Sequence, residues 1–521
     1  MKGGLTQSMS WLHTWCGLLI GWMLFVIFLT GTLAVFDKEI NWWMQPELTD
    51  QAQPAATAAN VAQRWLSERH ADETNWNINL PTERAPDLSV SVGERRRGGA
   101  NATHLDPLTG ETVEPRETIG GNFFFHFHYT LHLPRTLGVW VVGFAAMAML
   151  VALISGIIIH KKIFKEFFTF RPAKGQRSWL DGHNASAVLL LPFHLMITYT
   201  GLAIFFLLYM PAAVDALYDG DRQAYFRDAQ SGRAAEQPPR GEGRGSKPLA
   251  APAAPMLALG EIVSRAEAHY GEGMIGGLAV SNPGKINAQV TARPVLGNRI
   301  ELTKGESMVF NGVTGELIKA PEPSRTSQLT QRVLAGLHFA QFGGYPMRWL
   351  YFICGLISCA MIGTGLVLYA VKQRKQAKAN LHFLRVVESL NVAVVAGLSL
   401  ACVALLWGNR LLPAELAARQ SWELRLFFGV WAVTWLHAWM RKPLHAWREQ
   451  LATAALMAFT LPVLDLWTTQ GPLDAMRLSL MASVALMGLL LGWTVWKIPT
   501  VVAARQARPA RIDRAVAGTS S

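Results

Sequence analysis

Eight apolar runs, near 11–36, 138–160, 184–210, 346–371, 386–407, 423–440, 450–467 and 477–497, dominate this chain. Each reaches or approaches the roughly 20 residues that a helix needs to cross a hydrocarbon core of about 30 Å. With 51% hydrophobic and only 16% charged residues among 521, the chain reads as a polytopic α-helical membrane protein of about eight spans rather than a soluble enzyme. The first run, 26 residues long, exceeds a signal-peptide core and lacks a small-residue cleavage site, so it reads as an uncleaved anchor.

The net charge of +12 is not a nucleic-acid signature, because the basic residues cluster after alternate spans. Lys161, Lys162, Lys165, Arg171 and Lys174 follow the second, Lys372, Arg374, Lys375 and Arg385 the fourth, Arg441, Lys442 and Arg448 the sixth, and Lys497, Arg505, Arg508, Arg511 and Arg514 the eighth. The positive-inside rule then puts these loops and both termini in the cytoplasm, with 37–137 and 211–345 outside. Cys16, Cys354, Cys359 and Cys402 all fall within predicted spans, which leaves the external segments without a disulfide framework.

A pattern recurs within the first part of the chain. His13 precedes Thr30-Gly31 by 17 residues, and His183 precedes Thr200-Gly201 by the same distance. Asp106-Pro107-Leu108-Thr109-Gly110-Glu111 and Asn311-Gly312-Val313-Thr314-Gly315-Glu316 both read as turns closing a strand pair, with Gly supplying a positive φ. His132 and His338 each stand six residues before the glycine, Gly138 or Gly344, that leads into the next span. An internal duplication of helix, external domain and helix follows, each external domain opening with a helix (58–70 and 256–270). Alternating segments at 88–92, 286–291 and 299–302 read as strands, giving two small α+β domains.

The expected layout is a first span over 1–36, an outer domain over 37–137 and a second span over 138–160. A cytoplasmic loop over 161–183, a third span over 184–210 and an outer linker and second domain over 211–345 come next. A fourth span over 346–371, an appended four-helix membrane bundle over 386–498 and a cytoplasmic tail over 499–521 complete it. Residues 219–255, rich in Gly, Pro, Ala and Arg, read as a flexible linker.

Seventeen helical residues rise about 26 Å, which puts His13 and His183 near the inner boundary of their spans, while His132 and His338 fall at the outer one. A buried ionisable group is expensive in a membrane, and two imidazoles from facing helices with an apolar slot are what a b-type haem requires. His13 with His183, and His132 with His338, are the expected ligand pairs for two haems b. His194, 11 residues beyond His183 and about 20° away around a straight helix, is a substitute outer ligand, and Pro192 loosens the backbone before it. No Cys-x-x-Cys-His run offers covalent attachment. Each of these histidines has a blander reading as a hydrogen-bonded interfacial or core residue.

The remaining candidates read structurally. His126 and His128, in Phe123-Phe124-Phe125-His126-Phe127-His128-Tyr129, suit an interfacial amphipathic segment, with a role as ligand or substrate surface as the alternative. His160 suits a solvated headgroup contact, His382, His437 and His445 structural places on the cytoplasmic side of the appended bundle, Trp42, Trp43, Trp140 and Trp349 an aromatic belt, and Glu94-Arg95-Arg96-Arg97 a solvated hairpin tip, with attraction of an anionic or siderophore-like ligand as the alternative.

These motifs together resemble the PepSY-associated transmembrane family of bacteria, which includes iron-regulated inner-membrane proteins and ferric-siderophore reductases. The resemblance covers residues 5–375 through Trp11-Leu12-His13, Thr30-Gly31, the Asp106–Glu111 turn, His132, His183, Thr200-Gly201, the Thr314-Gly315-Glu316 turn and Leu337-His338. It implies PepSY-like periplasmic domains and haem-assisted reduction of a periplasmic ferric chelate such as a siderophore, fed by a cytoplasmic or membrane electron donor. The chain departs from the family in Asn184 after His183, in the length of 219–255 and in the appended spans. A binding or regulatory protein acting on periplasmic peptidases is the rival reading, and a transporter component another.

Overall fold

A computed structural model describes residues 4–48, 53–93, 102–160, 175–221, 223–225, 251–297, 299–302, 306–321, 323, 325–376, 380–470 and 473–517. The basic run after the second predicted span, Glu94–Arg97 and most of the 219–255 linker lie outside the described residues. The helices in chain order are α1 (Leu5–Ala34), α2 (Asp37–Met44), α3 (Ala55–Arg69), α4 (Asn122–Thr130), α5 (Arg135–Ile159), α6 (Gln176–Leu189) and α7 (Leu191–Ile204). After the short α8 (Phe206–Tyr209) and α9 (Ala212–Tyr218) come α10 (Leu259–Tyr270), α11 (Thr326–Phe339) and α12 (Gly344–Gln373). The C-terminal part adds α13 (Leu381–Leu411), α14 (Arg419–Met440), α15 (Pro443–Thr468) and α16 (Ala475–Ala517).

The chain divides into two compact units, one of Met1–Gln45, Arg116–Tyr199 and Trp349–Ser521, the other of Pro46–Pro115 and Thr200–Arg348. In the first, helices dominate. By length and composition α1, α5, α12, α13, α15 and the Ala475–Ile498 part of α16 could each cross a membrane, and the α6–α7 pair makes a seventh if counted as one span. The apolar runs of the sequence predict eight. The third expected span is bent by 66° between α6 and α7, because Pro192 has no N–H to give the carbonyl of Val188 and the ladder breaks there. The sixth is a helix, α14, but Arg419, Glu423, Arg425 and His437 dilute its apolar character. Thr30 and Thr32 sit buried in α1 because their hydroxyls donate back to Val26 O and Phe28 O, each at 2.7 Å. Ala393–Gly397 form a π-helical turn inside α13.

In the second unit the two external segments do not make separate sheets. β1 (Asn75–Asn79), β2 (Leu88–Val92), β3 (Thr103–Leu105) and β4 (Thr112–Val113) join β5 (Ile275–Ser281), β6 (Gln289–Pro294), β7 (Met308–Asn311) and β8 (Leu317–Lys319) in one antiparallel sheet of order β4-β3-β2-β1-β5-β6-β7-β8. The seam pairs Trp76 with Val280 and Ile78 with Leu278. Pairing β1 with β5 removes what would otherwise be an open edge on each four-stranded half. The inward set of the alternation, Trp76, Ile78, Leu88, Val90, Leu278, Val280, Val290 and Ala292, is buried in one core with Ala58, Ala59, Ala62 and Leu66 of α3 and Ile262, Val263 and Ala266 of α10.

The expected strand at 88–92 coincides with β2, and that at 286–291 is realised from Gln289 onward. Residues 299–302 form no strand, since Leu302 N instead bonds Arg332 O of α11 at 3.1 Å. Both predicted turns are present and built alike. Asp106 Oδ1 accepts from Leu108 N and Thr109 N, and Asn311 Oδ1 from Val313 N and Thr314 N, with Gly110 at φ +79° and Gly315 at φ +71°.

Candidate functional site

His13 and His183 come together within the helical unit, their ring centroids 6.1 Å apart and their planes at 72°. Each is held in the same way. His13 Nδ1 lies 2.9 Å from Ala152 O and 3.3 Å from Ser155 Oγ, both on α5. His183 Nδ1 lies 2.8 Å from Met361 O on α12. A carbonyl can only accept, so both rings carry their proton on Nδ1 and the lone pair on Nε2. Four residues after each accepting carbonyl comes a glycine under the ring. A Cβ at Gly156 would stand 3.3 Å from His13 Cε1, and one at Gly365 3.0 Å from His183 Cε1.

Two further imidazoles lie over the glycines of the Thr-Gly motifs. Gly31 is covered by His128 rather than by His132, with a Cβ there only 2.6 Å from His128 Nδ1, and that nitrogen donates to Ile27 O at 2.8 Å. Burial pushes His128 below the ordinary imidazole range, against the opposing pull of the Ile27 carbonyl, so it is neutral at neutral pH. In the second unit Gly201 is covered by His338, whose Cε1 would lie 2.9 Å from a Cβ and whose Nδ1 lies 3.1 Å from Thr200 Oγ1. Both helices end in a left-handed cap, α4 at Leu131 and α11 at Ala340, with His128 three residues and His338 two residues before it.

His132 sits elsewhere. At φ +59° just past the cap of α4, it packs its ring on Phe123 and Phe428. Counting six residues back from Gly138 leads to His132, but the helical turn of α4 presents His128 with Phe124 and Phe127, both buried, while His126 points to an exposed position. The helical spacing of the aromatic run was the available signal for His128.

His194 is fully buried in α7. His194 Nε2 lies 2.9 Å from Ser358 Oγ, which itself donates to Cys354 O at 2.7 Å, and His194 Nδ1 meets the geometry of a hydrogen bond with none of the described residues. The bend between α6 and α7 separates His183 and His194 in direction, so the common helix face expected from an 11-residue spacing is not formed. Of the other histidines, His437 Nε2 meets Glu449 Oε2 at 2.8 Å, and His126 Nδ1 caps Asn122 O at 2.9 Å. Among the described residues no three His, Cys, Asp or Glu side chains gather as a metal cluster.

This chain is similar to Uncharacterized protein PA4219 of Pseudomonas aeruginosa, with 25% identity over 354 residues that span 64% of this chain and 85% of that protein. Helices α13 to α16 lie past residue 372, where a family match ends. The sequence model of the PepSY-associated TM region matches residues 10–372, and the chain belongs to that family.

Proposed function

We propose that this protein is a haem-b reductase of the bacterial inner membrane, which passes electrons outward to a periplasmic ferric chelate of the siderophore class. The observation that carries the reading is the His13–His183 pair. His13 and His183, each with its lone pair on Nε2, are the residues that would hold a haem iron. The rings stand at 6.1 Å, and each Nδ1 is tied to a backbone carbonyl, the outer-shell arrangement that orients an imidazole and raises its basicity toward a metal. Haem, when bound, supplies a one-electron ferric/ferrous couple that the side chains lack.

The chain's own residues hold and shape this site. Gly156 and Gly365 let the rings approach α5 and α12 closely, and Leu18, Leu24, Phe25, Met149 and Leu153 belong to one buried apolar core of the same helical unit. The further candidate haem ligands named from the sequence are His132, His338 and, as substitute, His194; His128 is added as a candidate because it is tied at Nδ1 as His13 and His183 are. Reduction at the far side suits iron release, since hard oxygen chelators hold the lower-charged ferrous ion less tightly. On this reading the termini are cytoplasmic and the sheet unit is periplasmic.

The test is a reduced-minus-oxidised spectrum with haemochrome quantification on protein purified from haem-replete cells. A Soret band that reduces with dithionite, and loss of one haem in both His13→Ala and His183→Ala, are expected. Single alanine variants of His128, His132, His194 and His338 then assign the second. Absence of a Soret band, or full haem content in both His13→Ala and His183→Ala, overturns the reading.

A further inference from the structure

The helices beyond the family match enclose a cluster of buried charge whose contacts reach back to the start of the chain. Arg419 and Glu423, both 0% exposed, pair at 2.5 Å on α14. Glu423 Oε2 accepts from Thr118 Oγ1 and from Ile119 N, each at 2.8 Å. Arg419 donates to Glu117 O at 2.8 Å and to Asn409 O at 2.5 Å. Asn409 Nδ2 donates to Met44 O and to Glu423 Oε1, each at 3.0 Å. Arg410 pairs with Asp465 at 2.9 Å, donates to Trp43 O at 2.5 Å and stacks 3.7 Å over the Trp43 ring.

The connector gripped here, 117–121, runs straight into α4, and α4 lays His128 on Gly31. Gly120 and Gly121 lie so close to Asn41 and to the Asp37 carbonyl that no Cβ fits at either, which leaves this connector little room to move. A second contact reaches the other histidine ledge. Asn391 of α13, 2% exposed, donates to Leu366 O at 3.1 Å and accepts from Trp22 Nε1 at 2.8 Å. Leu366 adjoins Gly365, the residue beneath His183.

A buried ion pair is weak evidence of net stability, because desolvation consumes most of its Coulomb gain. Apolar side chains could hold α13 and α14 in place equally well. They could not, however, select particular backbone N–H and C=O groups of another segment. We propose that the appended bundle is a brace for the histidine-bearing elements, with Glu423 and Asn409 setting the connector into α4 and Asn391 setting the Leu366–Gly365 ledge under His183. The contacts stand without haem; only the potential measured below rests on the function proposed above.

Hydrogen–deuterium exchange on the full-length protein in detergent tests this with Glu423→Gln, Thr118→Val and Asn391→Leu. Glu423→Gln is expected to speed exchange across 117–131 about tenfold, the factor that corresponds to about 1.4 kcal/mol, and to leave β1 and β5 unchanged. Thr118→Val, which removes a single hydroxyl, gives a smaller rise in the same peptides and serves alone if the Glu423 variant does not fold. Asn391→Leu is expected to speed exchange over 362–369 but not 117–131, and to shift the midpoint potential of any bound haem. Unchanged exchange at 117–131 in whichever of Glu423→Gln and Thr118→Val folds, unchanged exchange at 362–369 in Asn391→Leu, or an equal rise throughout the chain, overturns the brace. A wild-type protein with no Soret band defeats the haem reading alone and leaves the exchange results interpretable.

Discussion

Replacing Gly31 by alanine isolates the contact on which the histidine ledges depend. The new Cβ would lie 2.6 Å from His128 Nδ1 and 2.7 Å from Cε1, against the roughly 3.5 Å at which such atoms rest comfortably, so the ring must retreat by about 1 Å. That stretches the 2.8 Å bond to Ile27 O beyond hydrogen-bonding range. A buried group left unsatisfied costs about 1–3 kcal/mol and overpacking about 1–3 kcal/mol, while exchanging glycine for alanine within a helix returns about 1 kcal/mol. The net expectation is a loss of about 1–5 kcal/mol. Gly17, in the same helix, has nothing within 4 Å of the methyl that alanine would add and so provides the control, which should be neutral or slightly stabilising. Thermal unfolding in detergent, followed by tryptophan fluorescence, should place Gly31→Ala several degrees below Gly17→Ala. Tolerance of alanine should rise through Gly201 at 2.9 Å and Gly365 at 3.0 Å to Gly156 at 3.3 Å. Equal melting of the Gly31 and Gly17 variants would refute the idea that these glycines exist to admit imidazoles.

Asp465→Ala leaves Arg410 and Arg477 buried without their shared carboxylate, at 2.9 and 2.8 Å in the native protein, and should cost about 3–5 kcal/mol; size-exclusion chromatography should show loss of the monodisperse peak. In the sheet unit, burial first, and then repulsion from Glu272, hold the Glu267 carboxyl above its ordinary value of 4.5, with the Gly273 N–H acting in the opposite sense. A carboxyl raised on folding contributes stability below its unfolded pKa that is lost as pH rises through the folded one. Glu267→Gln keeps an oxygen for Gly273 N, so it should raise the melting temperature at pH 7 but not at pH 4. The haem stoichiometry of the His13→Ala and His183→Ala variants, each expected to fall by one, completes the set.

Local signals carried much of this architecture. The turns at Asp106–Glu111 and Asn311–Glu316 were legible because an Asx side chain, a glycine and their spacing act within six residues. The helices at Ala55–Arg69 and Leu259–Tyr270 followed from apolar residues recurring at three and four. That His128 rather than His132 covers Gly31 could not be read by counting residues back from a glycine, because such counting ignores the helix between them. The bend at Leu190 was foreshadowed by Pro192, yet its 66° angle depends on what packs around it.

By itself, then, the sequence determined which segments are apolar helices, where the tight turns fall, and that His13 and His183 stand at equal distances before Thr-Gly motifs, since all of these follow from covalent neighbours and helical rise. Only the tertiary structure decided that β1 pairs with β5, that His128 covers Gly31, and that Glu423 reaches Thr118 across 305 residues of chain. Strand edges, glycine ledges and buried carboxylates select partners by shape and unmet hydrogen bonds, and those demands carry no mark of distance along the chain.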